Sequence, residues 1–192
     1  MMMNKRKATH PINDLFLKRT SPRAMSGQAI THEKLLTLLE AGRWAPSSYN
    51  AQPWRFIYAH RQTPAWDNLF SLLVPFNQSW AKNAAALVVV VSKKTFEFNG
   101  KPCRTHSFDA GSAWMSIALQ GSLDGLVVHG MEGFDYDKAY RVLELTDDYC
   151  VDVIFAVGCP GLVEDLPAEM QKGEEPSDRK PLQDLIFEGK MK

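Results

Sequence analysis

The chain of 192 residues is 45% hydrophobic and 23% charged, an ordinary composition for one soluble globular domain and far from disordered, fibrous or membrane-spanning classes. Lys plus Arg equals Asp plus Glu at 22 each, so no general field draws the chain to nucleic acid or an anionic membrane, and any bound anion needs a local cluster. Three cysteines, Cys103, Cys150 and Cys159, lack C-x-x-C spacing, and no apolar run approaches the ~20 residues of a membrane span, so a reducing, cytoplasmic setting is expected.

In chain order, residues 1–10 are polar and basic and read as a flexible tail, with a single domain over 11–192. Pro11 suits the first turn of a short helix carrying Ile12, Leu15 and Phe16 and ending near Arg19. Thr31 is a good N-cap for a helix that carries Leu35, Leu36, Leu38 and Leu39 and stops at Gly42 or Pro46. A strand is expected from Arg55 to Ala59, then a helix around Trp66, Leu69, Phe70 and Leu73. The next strand, Ala85 to Ser92, contains four consecutive valines and so should be buried on both faces. From Asp109, expected as N-cap, to Leu123, Ala110, Ala113, Trp114, Ile117, Ala118 and Gly121 recur at helical spacing. The small residues on that stripe imply close packing, in the centre of the domain or at a subunit interface, where another backbone must approach. A strand from Leu126 to His129, a helix from Asp137 to Leu145 and a strand from Val151 to Val157 follow, and beyond Gly158 an extended C-terminal arm is rich in Pro, Glu and Gly. Interleaved strands and helices indicate an α/β or α+β architecture.

Four constellations could carry chemistry. Arg19-Thr20-Ser21-Pro22-Arg23 offers two guanidinium forks and two hydroxyls suited to phosphate oxygens, or basic groups that merely complement a helix C-terminus. The run from Pro46 through Ser47, Ser48, Tyr49, Asn50, Ala51 and Gln52 to Pro53 and Trp54 is either a plain turn or an amide-rich surface for a flat heterocycle. Glu132-Gly133 follows a strand, where glycine lets a backbone N–H approach a ligand closely, or simply permits a turn. Ser177-Asp178-Arg179-Lys180 in the arm is a solvated charge run or a second phosphate clamp. The five histidines are scattered and read as structural or surface residues. No G-x-S-x-G, Walker A, G-x-G-x-x-G or H-E-x-x-H motif is present.

Taken together and in order, these pieces resemble the FMN-dependent nitroreductase family over nearly the whole chain, from about Pro11 to Glu188. The resemblance implies an α+β sandwich with a central, mainly antiparallel sheet flanked by helices and an extended C-terminal arm. It implies that Arg19, Thr20, Ser21 and Arg23 bind the FMN phosphate, joined by Arg179 and Lys180 from the arm. Pro46, Ser47, Ser48 and Asn50 would reach the flavin from the other subunit of a homodimer, with the FMN site at the interface. Asn77 resembles an amide that bonds the flavin ring, and Glu132 and Gly133 match the pair beside its reactive N5 edge. The sequence departs from the pattern at Ser177, where many relatives have a basic residue, and at Trp80, where some have lysine.

The implied activity is a two-step cycle in which NADH or NADPH reduces FMN and a small electron-poor acceptor, such as a nitroarene or quinone, then takes the hydride. The flavin carries the chemistry and no catalytic side chain or metal is needed. A non-catalytic flavin-binding or storage protein and a reductase of activated alkenes are the alternatives, and no membrane or nucleic-acid partner is expected.

Overall fold

The computed structural model describes residues 6–191; residues 1–5 of the expected tail, and Lys192, lie outside the described residues. The elements, in chain order, are α1 (Leu15–Lys18), α2 (His32–Arg43), β1 (Trp54–His60), α3 (Pro64–Phe70), α4 (Pro75–Ala81), β2 (Ala86–Lys93), α5 (His106–Leu123), β3 (Val127–Met131), α6 (Tyr136–Val142), β4 (Tyr149–Gly158) and α7 (Ala168–Gln171). The strands form one sheet in the order β1-β2-β4-β3 with every pairing antiparallel. This is the α+β arrangement expected from the sequence.

β2 lies between β1 and β4, which explains its unbroken aliphatic run: both of its faces are covered. Successive side chains of a strand alternate between faces, so Leu87, Val89 and Val91 join one core with Trp66, Leu69 and Trp80. Ala86, Val88 and Val90 join the opposite core with Leu35, Leu38 and Ile117. α3 and α4 thus supply one layer, and α2 and α5 the other. The close approach anticipated for α5 occurs at Gly121, where a Cβ would lie 2.6 Å from Val128 Cγ2. Only hydrogen fits between α5 and β3 there.

Local chemistry shifts several element boundaries. Thr31 Oγ1 accepts from Lys34 N at 3.2 Å, the expected cap of α2. Asp109 is not the cap of α5. The helix starts a turn earlier, with Thr105 at the cap position, and Asp109 is buried inside the first turn, accepting from Thr105 Oγ1 at 3.0 Å and Ser48 N at 3.1 Å. α1 is a single turn rather than a helix from Pro11, and Ile12 and Phe16 remain half exposed. α6 is capped by Asp135, which accepts from Lys138 N, and stops before Glu144, whose φ of 52° is left-handed. α4 has no counterpart in the sequence reading; Pro75 opens it at a position where the missing N–H costs nothing. Among the described residues, no helix is long and apolar enough to cross a membrane.

Candidate functional site

The residues after α1 turn toward the C-terminal arm and enclose a cavity of about 180 Å³ lined by Arg19, Thr20 and Ser21 on one side and Ser177 and Arg179 on the other. Arg19 Nη1 donates to Ser21 Oγ at 3.0 Å, and Ser21 Oγ donates to the Val128 carbonyl at 3.3 Å, which fixes this wall against β3. Arg6 is the third arginine of the cavity. It lies within the expected tail, yet its Nε donates to Ser177 O at 2.7 Å and its Nη1 to Arg19 O at 2.9 Å. Burial, then the charges of Arg6 and Arg179, push the Arg19 pKa down. Burial and Arg179 do the same to Arg6. Three guanidinium groups that oppose one another's charge around a small polar cavity match a polyanionic ligand group such as a phosphate.

Arg23 and Lys180, expected at the same phosphate, do not line this cavity. The Arg23 guanidinium lies 3.5 Å from Glu174 Oε1, while Glu174 Oε2 accepts from Arg23 N at 2.8 Å and Ala24 N at 3.0 Å. Glu174, which also lines the cavity, thus has Oε2 bonded and Oε1 held only by the Arg23 charge, and its side chain is 1% exposed. Lys180 is exposed.

At the far end of β3 are Glu132 and Gly133. Asn77, on α4, donates through Nδ2 to Gly133 O at 2.9 Å, so two residues assigned separately to the ring site are in direct contact. A Cβ on Gly133 would lie 2.8 Å from that nitrogen and 3.1 Å from Val74 Cγ2. Among the described residues no backbone carbonyl accepts from the Gly133 N–H. Five residues separate Val128 on β3 from Gly133 just beyond its end, a span of at most about 17 Å of extended chain. The two ends thus suit an extended ligand with an anionic tail and a planar head.

The Ser47–Gln52 loop is held in an uncommon backbone. Tyr49, Asn50 and Gln52 have φ of 53°, 54° and 46°, and such clusters of left-handed non-glycine residues concentrate where a loop must present specific groups. Ser47 Oγ accepts from Gln52 N, and Asp109 holds Ser48 N. Pro46 and Asn50 are exposed. This loop does not meet the arginine cavity of its own chain. It is tied to the first turn of α5, whereas Ser21 bonds Val128, which packs on Gly121 near the other end of that helix. Twelve residues of α5 separate Asp109 from Gly121, about 18 Å of helix.

Trp80 is 1% exposed and packs on His129 at 4.6 Å between ring centroids, so it belongs to the core. His129 donates through Nδ1 to Pro22 O at 3.1 Å, and burial holds its pKa below the ordinary value. The ring supports the segment between Arg19 and Arg23 from beneath.

The sheet order and the cavity define an α+β protein with a small polar pocket lined by three arginines. Residues 17–65, which include the Arg19 and Pro46–Asn50 segments, match the Nitroreductase family. A solved structure of an oxidoreductase containing FMN is 42% identical, covers 100% of this chain and 98% of its own, and superposes with a TM-score of 0.94. A structure of a putative nitroreductase in complex with FMN from Desulfovibrio desulfuricans has the same fold, with a TM-score of 0.73 at 22% identity, covering 96% of this chain and 100% of its own. The major NAD(P)H-flavin oxidoreductase of Aliivibrio fischeri is 32% identical over 91 residues, 46% of this chain but only 42% of that relative. This chain belongs to the nitroreductase family.

Proposed function

We propose that this protein is an FMN-dependent oxidoreductase that takes hydride from NADH or NADPH and delivers it, in a ping-pong cycle, to small electron-poor acceptors such as nitroarenes and quinones. The observation that carries this reading is the arginine cavity at one end of β3 with the Asn77–Gly133 contact at the other. FMN, when bound, supplies the group that accepts and donates hydride. Arg19, Thr20, Ser21 and Arg179 hold its phosphate, and the Ser21 bond to Val128 keeps that wall rigid. Asn77 Nδ2 fixes the Gly133 carbonyl, and the Gly133 N–H, to which no backbone carbonyl is bonded among the described residues, would be the donor to the ring edge. Glu132 is exposed beside it and raises the negative potential there. The relatives named for FMN and for NAD(P)H support the cofactor and the reductant.

The protein acts as a homodimer in the cytoplasm, as a single FMN-binding domain in which Pro46, Ser47, Ser48 and Asn50 complete the partner's site. Supporting this, the loop cannot reach the cavity of its own chain, because α5 separates them. An open groove of about 640 Å³ between α2 and β1 is floored by Leu36, Leu39, Trp54 and Phe56. The arm carries Leu185, Ile186 and Phe187 exposed. A second copy's arm has the chemistry to fill that groove.

The visible spectrum of the purified protein tests the reading, with the absorption of a bound flavin expected and FMN released on denaturation. Anaerobic addition of NADH or NADPH should bleach it, and a nitroarene or quinone should restore it. Parallel double-reciprocal plots are expected for a ping-pong cycle. Flavin that no nicotinamide reduces would instead support a binding or storage role.

A further inference from the structure

We infer that Arg6 is a phosphate-site positioning residue, drawing the two walls of the arginine cavity together and adding a third guanidinium to its lining. The inference rests on the FMN reading above. The walls come from segments far apart in sequence, Arg19–Ser21 after α1 and Ser177–Arg179 in the arm. Arg6 binds both. Its Nε and Nη2 donate to Ser177 O and Ser177 Oγ at 2.7 and 3.4 Å, and its Nη1 donates to Arg19 O at 2.9 Å and Leu17 O at 3.3 Å.

These contacts act in two ways. The Leu17 and Arg19 carbonyls lie at the C-terminal end of α1, where carbonyl oxygens carry partial negative charge. Covering them with a guanidinium removes that charge from the rim of a site meant for an anion. The Arg6 side chain lies against the backbone and hydroxyl of Ser177. A cation from the N-terminal segment therefore joins Arg179 at the arm wall of the cavity. The electrostatics agree: Arg179 bears on Arg6, and Arg6 on Arg19, each opposing the other's charge. Such a cluster is held against repulsion by the fold and relaxes when a dianion enters.

The test compares wild type, Arg6→Ala and Arg6→Lys, each stripped of flavin, in fluorescence titrations with FMN and with riboflavin, which lacks the phosphate. Arg6→Ala should weaken FMN binding about tenfold or more, the scale of a lost charge-assisted interaction, while changing riboflavin affinity less than about twofold. Arg6→Lys keeps the charge but loses the fork, and should fall between. Equal losses for FMN and riboflavin, or no loss for FMN, overturn the inference. Wild-type protein that binds no FMN rejects the parent reading and this inference with it, whereas wild-type binding matched by Arg6→Ala rejects the inference alone.

Discussion

Asn77 and Gly133 are joined by a 2.9 Å hydrogen bond across 56 residues, and the same amide nitrogen stands where a Gly133 side chain would have to go. Gly133→Ala must push Asn77 or Val74 aside, since the added carbon would be 2.8 and 3.1 Å from them. Asn77 is 9% exposed and has little room to yield. The expected cost is about 1 to 3 kcal/mol of stability, with weaker binding of FMN and riboflavin alike because the ring end is disturbed. Urea unfolding and flavin titration check this, and a variant with wild-type values for both would remove Gly133 from the ring site.

Arg23 and Arg19 should separate in their effects, although the sequence presents them as one motif. Removing the Arg23 guanidinium strips the Glu174 carboxylate of its ion-pair partner, leaving a buried charge held by two backbone N–H groups. Arg23→Ala is expected to lose about 2 to 4 kcal/mol of stability, and Arg23→Ala with Glu174→Gln should recover part of it. Arg19→Ala should leave the melting temperature nearly unchanged and instead weaken FMN about tenfold or more relative to riboflavin. Thermal melts of the apoproteins, set beside the two titrations, distinguish these outcomes.

Acid should destabilise the protein partly through His129. Burial is the largest cause of its lowered pKa, with the Arg23 charge acting in the same direction and the Pro22 carbonyl opposing both. Because the folded state takes up the proton at lower pH than the unfolded state, protons favour the unfolded chain below the ordinary value of 6.5. Stability is therefore full above that pH and declines as pH falls below it. His60 is shifted the same way by burial and by His32, and being more exposed contributes less. Urea unfolding between pH 7.5 and 5.5, a window of roughly one unit on either side, should show a shallower slope in His129→Gln, which can still donate to Pro22. Equal slopes would exclude His129 as a source.

Dimer formation and flavin retention should be lost together when the apolar arm is shortened. Deleting residues 182–192 removes Leu182, Leu185, Ile186 and Phe187, all exposed in one chain. Sedimentation should then show a larger monomer fraction and flavin titration a weaker site. A truncated chain that remains dimeric at low micromolar concentration, on the order of 1 μM, would assign the interface to other surfaces.

Much of this protein is written locally. The four strands, the Thr31 cap and the helix of small residues follow from residue type and spacing, because period, capping and turn chemistry act over a few residues, whereas the arginine and Ser-Ser-Tyr-Asn segments stand out through the family resemblance. What the sequence could not assign are partnerships across long separations. Nothing in the spacing of Lys5, Arg6 and Lys7 says which cation folds back to Ser177, 171 residues away, or that Arg23 turns to Glu174 rather than to the cavity. Asp109 illustrates the same limit: an acid at the start of a helical stripe reads as a cap, but the turn before it also closed and buried it as the anchor of Ser48. The sequence by itself determined the four strands, most of the helices and the family; the tertiary structure decided which charges meet, because Coulomb and hydrogen-bond partners are selected by distance in space and not along the chain.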